Sequence, residues 1–171
     1  LGKMSKNRIL SGICSVYIFF FRGTPLLMQL YFIYFGLPQI NMALTINSRF
    51  FAAFLAFSLN SAAYCSEFIR AAIQSIDRGQ FEASKALGLS KAQTMQLVIF
   101  PQSIRRLVPS VANEFIMVLK DASLVSIIAL ADLTKVTRAI SSSTGTAMVY
   151  IPAMMIYLVM TAFFEFKIGR A

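Results

Sequence analysis

The sequence predicts an all-α membrane protein, and three observations carry that prediction. Hydrophobic residues make up 57% of the 171 residues and charged residues only 13%, against about 45–50% and about 25% in ordinary soluble domains. The apolar residues gather in blocks approaching spanning length. The formal charge of +9 is carried by short basic stretches between those blocks, as positive-inside bias requires.

Four apolar blocks organise the chain. The first runs from Ile9 to Leu37 and is interrupted at Arg22-Gly23-Thr24-Pro25. Proline removes a backbone donor there and glycine loosens the turn, so a break is expected. The second, Phe50 to Cys65, is marginal unless Ser48, Arg49 and Ser66 reach the headgroups, because a span takes roughly 20 residues. The third, Val108 to Leu133, carries Glu114, Lys120 and Asp121, and the fourth, Met148 to Phe164, is uncharged.

Charge fixes the sidedness. The stretch from Ser66 to Arg106 carries Arg70, Arg78, Lys85, Lys91, Arg105 and Arg106, which marks it as cytoplasmic; Lys3, Lys6 and Arg8 put the N-terminus on the same side. The first block then crosses once, broken or bent near Gly23–Pro25, because an odd number of crossings must reach the outer loop at Leu37–Arg49. Blocks two to four follow as a return, an exit and a return to Lys167 and Arg170. The expectation is four crossings, with Ser141-Ser142-Ser143-Thr144-Gly145 as an outer loop and Lys135 and Arg138 exposed outside against the charge rule.

Several functions are excluded. The basic residues form no single stripe for nucleic acid. Cys14 and Cys65 lie in apolar surroundings with no CxxC or Cys/His spacing, so they read as free thiols without a metal or cofactor site. No His, no G-x-S-x-G nucleophile pattern and no G-x-x-x-x-G-K-[ST] phosphate loop is present, which argues against catalysis and against ATP hydrolysis by this chain.

The cytoplasmic stretch has a defined pattern of its own. Glu82, Ala83, Ala86 and Leu87 fit a short helix starting near Gly79 or Gln80 and stopped at Gly88. Ser90 suits the N-cap of a second helix, and Pro101 ends or kinks that piece. Ala83 and Ala86 leave an apolar face that a partner's groove can approach closely. A plain solvated loop, with Glu82 favoured by the helix dipole, is the alternative.

Glu114 and Asp121 are seven residues apart, so on a helix they share a face about 10 Å apart along the axis. Carboxylates at bilayer depth face a cavity or a partner, and two on one stripe suit a ligand's ammonium or a cationic side chain. Asn113 adds an amide on an adjoining face, while Met117 reads as packing. The competing assignment neutralises Asp121 with Lys120, Arg22 or Arg70 and sets Glu114 near the inner headgroups. Arg22 either clamps a ligand carboxylate or snorkels to the interface. The small residues Ala52, Ala53, Ala56, Ser58, Ser61, Ala62 and Ala63 allow close helix approach, within the subunit or to a second one.

Four runs, in order, resemble one known family. Glu82-Ala83-Ser84, then Gly88, then Ile99-Phe100-Pro101 is similar to the EAA loop of permeases in binding-protein-dependent ABC importers, with Ser84 where that loop usually has Ala. Arg22-Gly23-Thr24-Pro25-Leu26-Leu27 with Gln29-Leu30, and Asn60-Ser61-Ala62-Ala63-Tyr64 with Glu67 and Arg70, resemble the polar amino acid branch. Ala112-Asn113-Glu114-Phe115 and Leu119-Lys120-Asp121-Ala122-Ser123-Leu124 do so too, although Ala122 stands where the branch has Thr. The likeness covers nearly the whole chain.

The resemblance implies one type I ABC transmembrane domain over residues 1–171, with about four of the family's five spans, the first missing before Lys3, and a coupling loop at about 67–107. The chain's start at Leu1 reads the same way, as a fragment. It also implies a multi-pass permease of the bacterial cytoplasmic membrane, surrounded by lipid. Expected partners are two ATPase subunits gripping Glu82, Ala83, Ser84, Gly88 and Pro101, a second permease (identical or paralogous), and an extracytoplasmic amino acid-binding protein. The substrate pathway would include Arg22, Asn113, Glu114 and Asp121. An ion-gradient-driven carrier or channel is the rival reading, supported by the intramembrane acids but silent on the helix–Gly–helix loop.

Overall fold

Helices account for most of the computed structural model, which describes residues 8–168; the expectations resting on Lys3, Lys6 and Arg170 lie outside the described residues. Helix α1 (Arg8–Gly23) ends where the sequence places a break, and α2 (Leu26–Ile40) leaves it at 105°. The pair is thus broken and not gently bent: α2 turns off the axis of α1 instead of continuing it. Pro25 is the cause, because the Phe21 carbonyl four residues earlier finds no N–H there. The N–H groups of Met28 and Gln29 then restart the helix on the Pro25 carbonyl, at 3.0 and 3.2 Å.

Helix α3 (Arg49–Gln74) is 26 residues, hence about 39 Å, far longer than the marginal Phe50–Cys65 block. Ser48 caps it by accepting the Phe51 N–H. The buried alanines Ala52, Ala53 and Ala56 pack against Leu30 and Ile33 of α2 and against Val125 and Ile128, so this part of the small-residue face serves contacts within the subunit. Tyr17 of α1 donates its hydroxyl hydrogen to the Leu59 carbonyl at 2.6 Å and pins α1 to α3.

Helix α4 (Arg78–Ala86) is followed by a run that starts at Lys91–Gln93, widens into a π turn at Thr94–Ile99, and continues as α5 (Phe100–Asp121). Pro101 neither ends nor starts a separate piece; the run passes through it. In the π register Phe100 donates to the Met95 carbonyl, five residues back, and the wider turn accommodates the missing proline donor. The third apolar block is likewise not one helix. After Asp121 it tightens into a 3-10 segment, Ala122–Ile128, which stops at Ala129 in the left-handed region, φ 59°.

Asp132 then caps α6 (Leu133–Thr144) by accepting from Thr134 and Lys135. The polar run Ser141–Thr144 is thus the last turn of a helix, with Gly145, φ 67°, as its left-handed stop; the strong cap upstream outweighs weak local propensity. Helix α7 (Tyr150–Ile168) is apolar all round. Among the described residues its Tyr150–Lys167 window is the one straight helix long and apolar enough to cross a membrane, and α1 with α2 qualifies as a bent pair.

Candidate functional site

Two features hold most of the residues singled out by the sequence: the α4 turn and a cleft between α1, α3 and α5.

Asp77, not Gly79 or Gln80, caps α4, accepting the Gly79 N–H at 2.7 Å. The far end closes with paired bonds, Gly88 N–H to the Lys85 carbonyl at 3.0 Å and Leu89 N–H to the Ser84 carbonyl at 3.1 Å. That pattern needs the residue between them in the left-handed region, and Gly88 has φ 75°. Ser90 and Gln93 form a reciprocal capping box for the next helix. Every orphan group of the turn that these caps reach is satisfied within it, which leaves Glu82, Ala83, Ala86 and Leu87 exposed. Ser84 is different: it is buried, donating to the Gln80 carbonyl at 2.7 Å. Pro101, also exposed, lies in the following helix.

The α4 turn is bonded to α5, and α5 in turn to the end of α3. Gln102 of α5 donates to Gln80 at 3.1 Å, and Arg106 of α5 donates to the carbonyl of Ser75 at the end of α3. Ile73 and Ile76 pack on Ile99 beneath. A groove of about 580 Å³ beside the helix is lined by Phe81, Lys85, Leu89, Lys91 and Met95.

The cleft holds about 510 Å³, within the about 300–1,000 Å³ common for small-molecule sites. Its first wall is the α1–α2 break, Arg22 through Leu27; its second is Asn60 and Tyr64 of α3; its third is Glu114, Met117 and Asp121 of α5. The seven-residue spacing does bring both acids to one wall. Asn113, one residue and about 100° around the helix from Glu114, is exposed and outside the lining, whereas Met117 lines it instead of packing.

Arg22 and Arg70 do not neutralise Asp121. Both reach buried Glu67: Arg70 donates to it through Nε at 3.0 Å and Nη2 at 2.5 Å, and Arg22 stands 3.7 Å away. Among the described residues no ion pair involves Asp121 or Lys120. The Arg22 guanidinium also lies 5.2 Å from the Tyr64 ring centroid, a cation–π distance. Because Glu67 keeps its close bonds to Arg70, Arg22 can exchange partners without leaving a buried carboxylate unpaired. The cleft thus has a cation at one wall and two acids at another.

Asn60 and Tyr64 in the lining, and Glu67 behind Arg22, are site residues beyond those expected from the sequence. Asn60 Nδ2 donates to the Phe21 carbonyl at 2.9 Å and to Gln29 Oε1 at 3.1 Å. The intramembrane polar residues of α3 were the available signal, but their partners lie 39 and 31 positions away.

Comparison with known proteins places the chain in a family. Residues 1–167 match the family of binding-protein-dependent transport system inner membrane components. The nopaline transport system permease protein NocM of Agrobacterium fabrum is 38% identical over 94% of this chain and 70% of its own length. The arginine transport system permease protein ArtQ of Bacillus subtilis is 41% identical over 100% of this chain and 77% of its own. A crystal structure of an amino acid ABC transporter with histidines superposes with a TM-score of 0.91 at 43% identity, over 98% of this chain and 78% of that one. Across these and other curated relatives the chain spans 64–77% of their length. The chain therefore belongs to the binding-protein-dependent transport system inner membrane component family, among the permease subunits of amino acid ABC importers.

Proposed function

We propose that this chain moves a polar amino acid across the cytoplasmic membrane by alternating access, powered by ATP that two separate ATPase subunits hydrolyse. The observation that carries the proposal is the cleft with Arg22 on one wall and Glu114 and Asp121 on another. A zwitterion presents a carboxylate to the first and an ammonium, or a cationic side chain, to the second.

In this reading the cytoplasmic stretch, about 67–107, delivers the force. The exposed face of α4, with Glu82, Ala83 and the Gly88 turn, sits in a cleft of an ATPase. Closure of the two ATPases pushes α4; the Gln80–Gln102 bond passes that push to α5, and the Arg106–Ser75 bond passes it on from α5 to α3. Those are the helices that carry Asn60, Tyr64, Glu114 and Asp121. Ser84 and Pro101 then act inside the lever, as packing and as the π-turn neighbour, more than at the docking face. Asn113 lies off the cleft and contributes to a neighbouring surface.

The membrane arrangement completes the proposal. Helices α1, α3, α5 and α7 make four crossings of a type I transmembrane domain, with α2 and the Ala122–Ile128 segment turned away from the crossing direction. Four crossings enclose a pathway only with a second permease, identical or paralogous, and an extracytoplasmic binding protein presents the amino acid. The test is uptake of radiolabelled arginine and glutamine into vesicles holding the whole complex. Uptake that needs ATP inside the assay and vanishes without the ATPase supports the proposal. Uptake driven by an ion gradient alone contradicts it and favours the carrier reading.

A further inference from the structure

Gln29 is a polar side chain only 5% exposed, and Asn60 is 8% exposed. Gln29 Nε2 donates to the Phe21 carbonyl at 2.9 Å, the Thr24 carbonyl at 3.0 Å and Thr24 Oγ1 at 2.9 Å. Asn60 Nδ2 joins it on the Phe21 carbonyl and on Gln29 Oε1. The Phe21 carbonyl is the acceptor that Pro25 cannot serve. A carbonyl orphaned away from water is costly, and two amides from α2 and α3 converge on it. Arg22 is the next residue, and Arg22 through Leu27 form one wall of the cleft.

We propose that Gln29 and Asn60 are positioning residues for transport: they lock the α1–α2 break, and with it the Arg22 guanidinium, in the geometry that admits a ligand. Gln29 is the informative member, because it does not line the cleft and so acts on a ligand only through the break. Asn60 holds the break from α3 and links it to the helix that carries Tyr64 and Glu67. The inference rests on the cleft as the ligand site.

The test uses the whole complex in phospholipid nanodiscs, with radiolabelled L-arginine and L-glutamine as probes and amide hydrogen exchange over residues 22–30 as a second readout. In Gln29→Leu, where Asn60 alone still serves the Phe21 carbonyl, exchange across the break should rise, and affinity for a probe that the unmodified complex binds should fall by about tenfold, the scale of one or two buried hydrogen bonds lost. Met28→Leu, at the exposed neighbour, should change neither readout. Gln29→Met replaces Gln29→Leu if the latter does not assemble. Unchanged exchange overturns the proposal, and so does raised exchange with unchanged affinity, since the pair would then be merely structural. Failure of the underlying reading is separate: it appears as unaltered probe affinity in Arg22→Ala and Asp121→Asn.

Discussion

The α1–α2 break and the α4 turn are both interruptions of a helix at Gly, yet they satisfy their backbone in opposite ways. At the α4 turn every cap is local: in the Asp77 cap, the paired bonds around Gly88 and the Ser90–Gln93 box, each donor lies within five residues of its acceptor. At the break the orphaned Phe21 carbonyl is served by Gln29 and by Asn60, which lies 39 positions away. A water-facing turn that caps itself keeps its outer face free for a partner. An interior break that borrows its donors becomes part of the tertiary structure, and its shape is set by the helices around it.

Substitutions can break or sharpen that contrast. The largest effect is expected beside the break, at Glu67. Glu67→Ala leaves the part-exposed Arg70 and Arg22 without their shared buried carboxylate; thermal unfolding of the complex in detergent should show a clear drop in midpoint. Second comes Gly88→Val. A Cβ there meets open space, so the cost is the left-handed backbone alone, about 1–3 kcal/mol. The protein should still reach the membrane, while uptake and ATPase coupling fall about tenfold or more. Normal transport in Gly88→Val would mean that the turn's geometry does not matter to coupling.

Smaller effects follow. Asp121→Asn should weaken uptake of arginine several-fold more than uptake of glutamine, because the acid wall loses a charge and keeps its size; equal loss for both would argue against direct recognition. Ser90→Ala removes one local cap, worth about 1 kcal/mol, and should only modestly slow uptake. If it abolished uptake as fully as Gly88→Val, the capping of the second helix would be as critical as the turn itself.

The same contrast explains what was legible in the sequence. Gly88 as a stop and Ser90 as a cap were readable because the partners of each cap are close in sequence. The break at Gly23–Pro25 was readable too, but its 105° angle was not, since that depends on where α3 sits. Glu114 and Asp121 fall on one wall because seven residues return a helix nearly to the same face. Asn113 and Met117 exchanged expected places, because which face turns inward is a tertiary fact. Pro101 does not end the second helix, because a π turn just before it carries the proline through. Ser141–Thr144 misled because its helix is nucleated at Asp132, nine or more residues upstream. The alternative that pairs Arg22 or Arg70 with Asp121 is not met, because both reach Glu67, Arg70 within α3 and Arg22 across the α1–α3 contact.

The most direct test of coupling through α4 is thiol cross-linking from Ala83→Cys, with Cys14→Ser and Cys65→Ser removing the native thiols. The expected result is a specific cross-link to the ATPase subunit, formed from the cytoplasmic face and altered by ATP. A cross-link formed only from the extracytoplasmic side, or none to the ATPase in an actively transporting complex, would contradict the account.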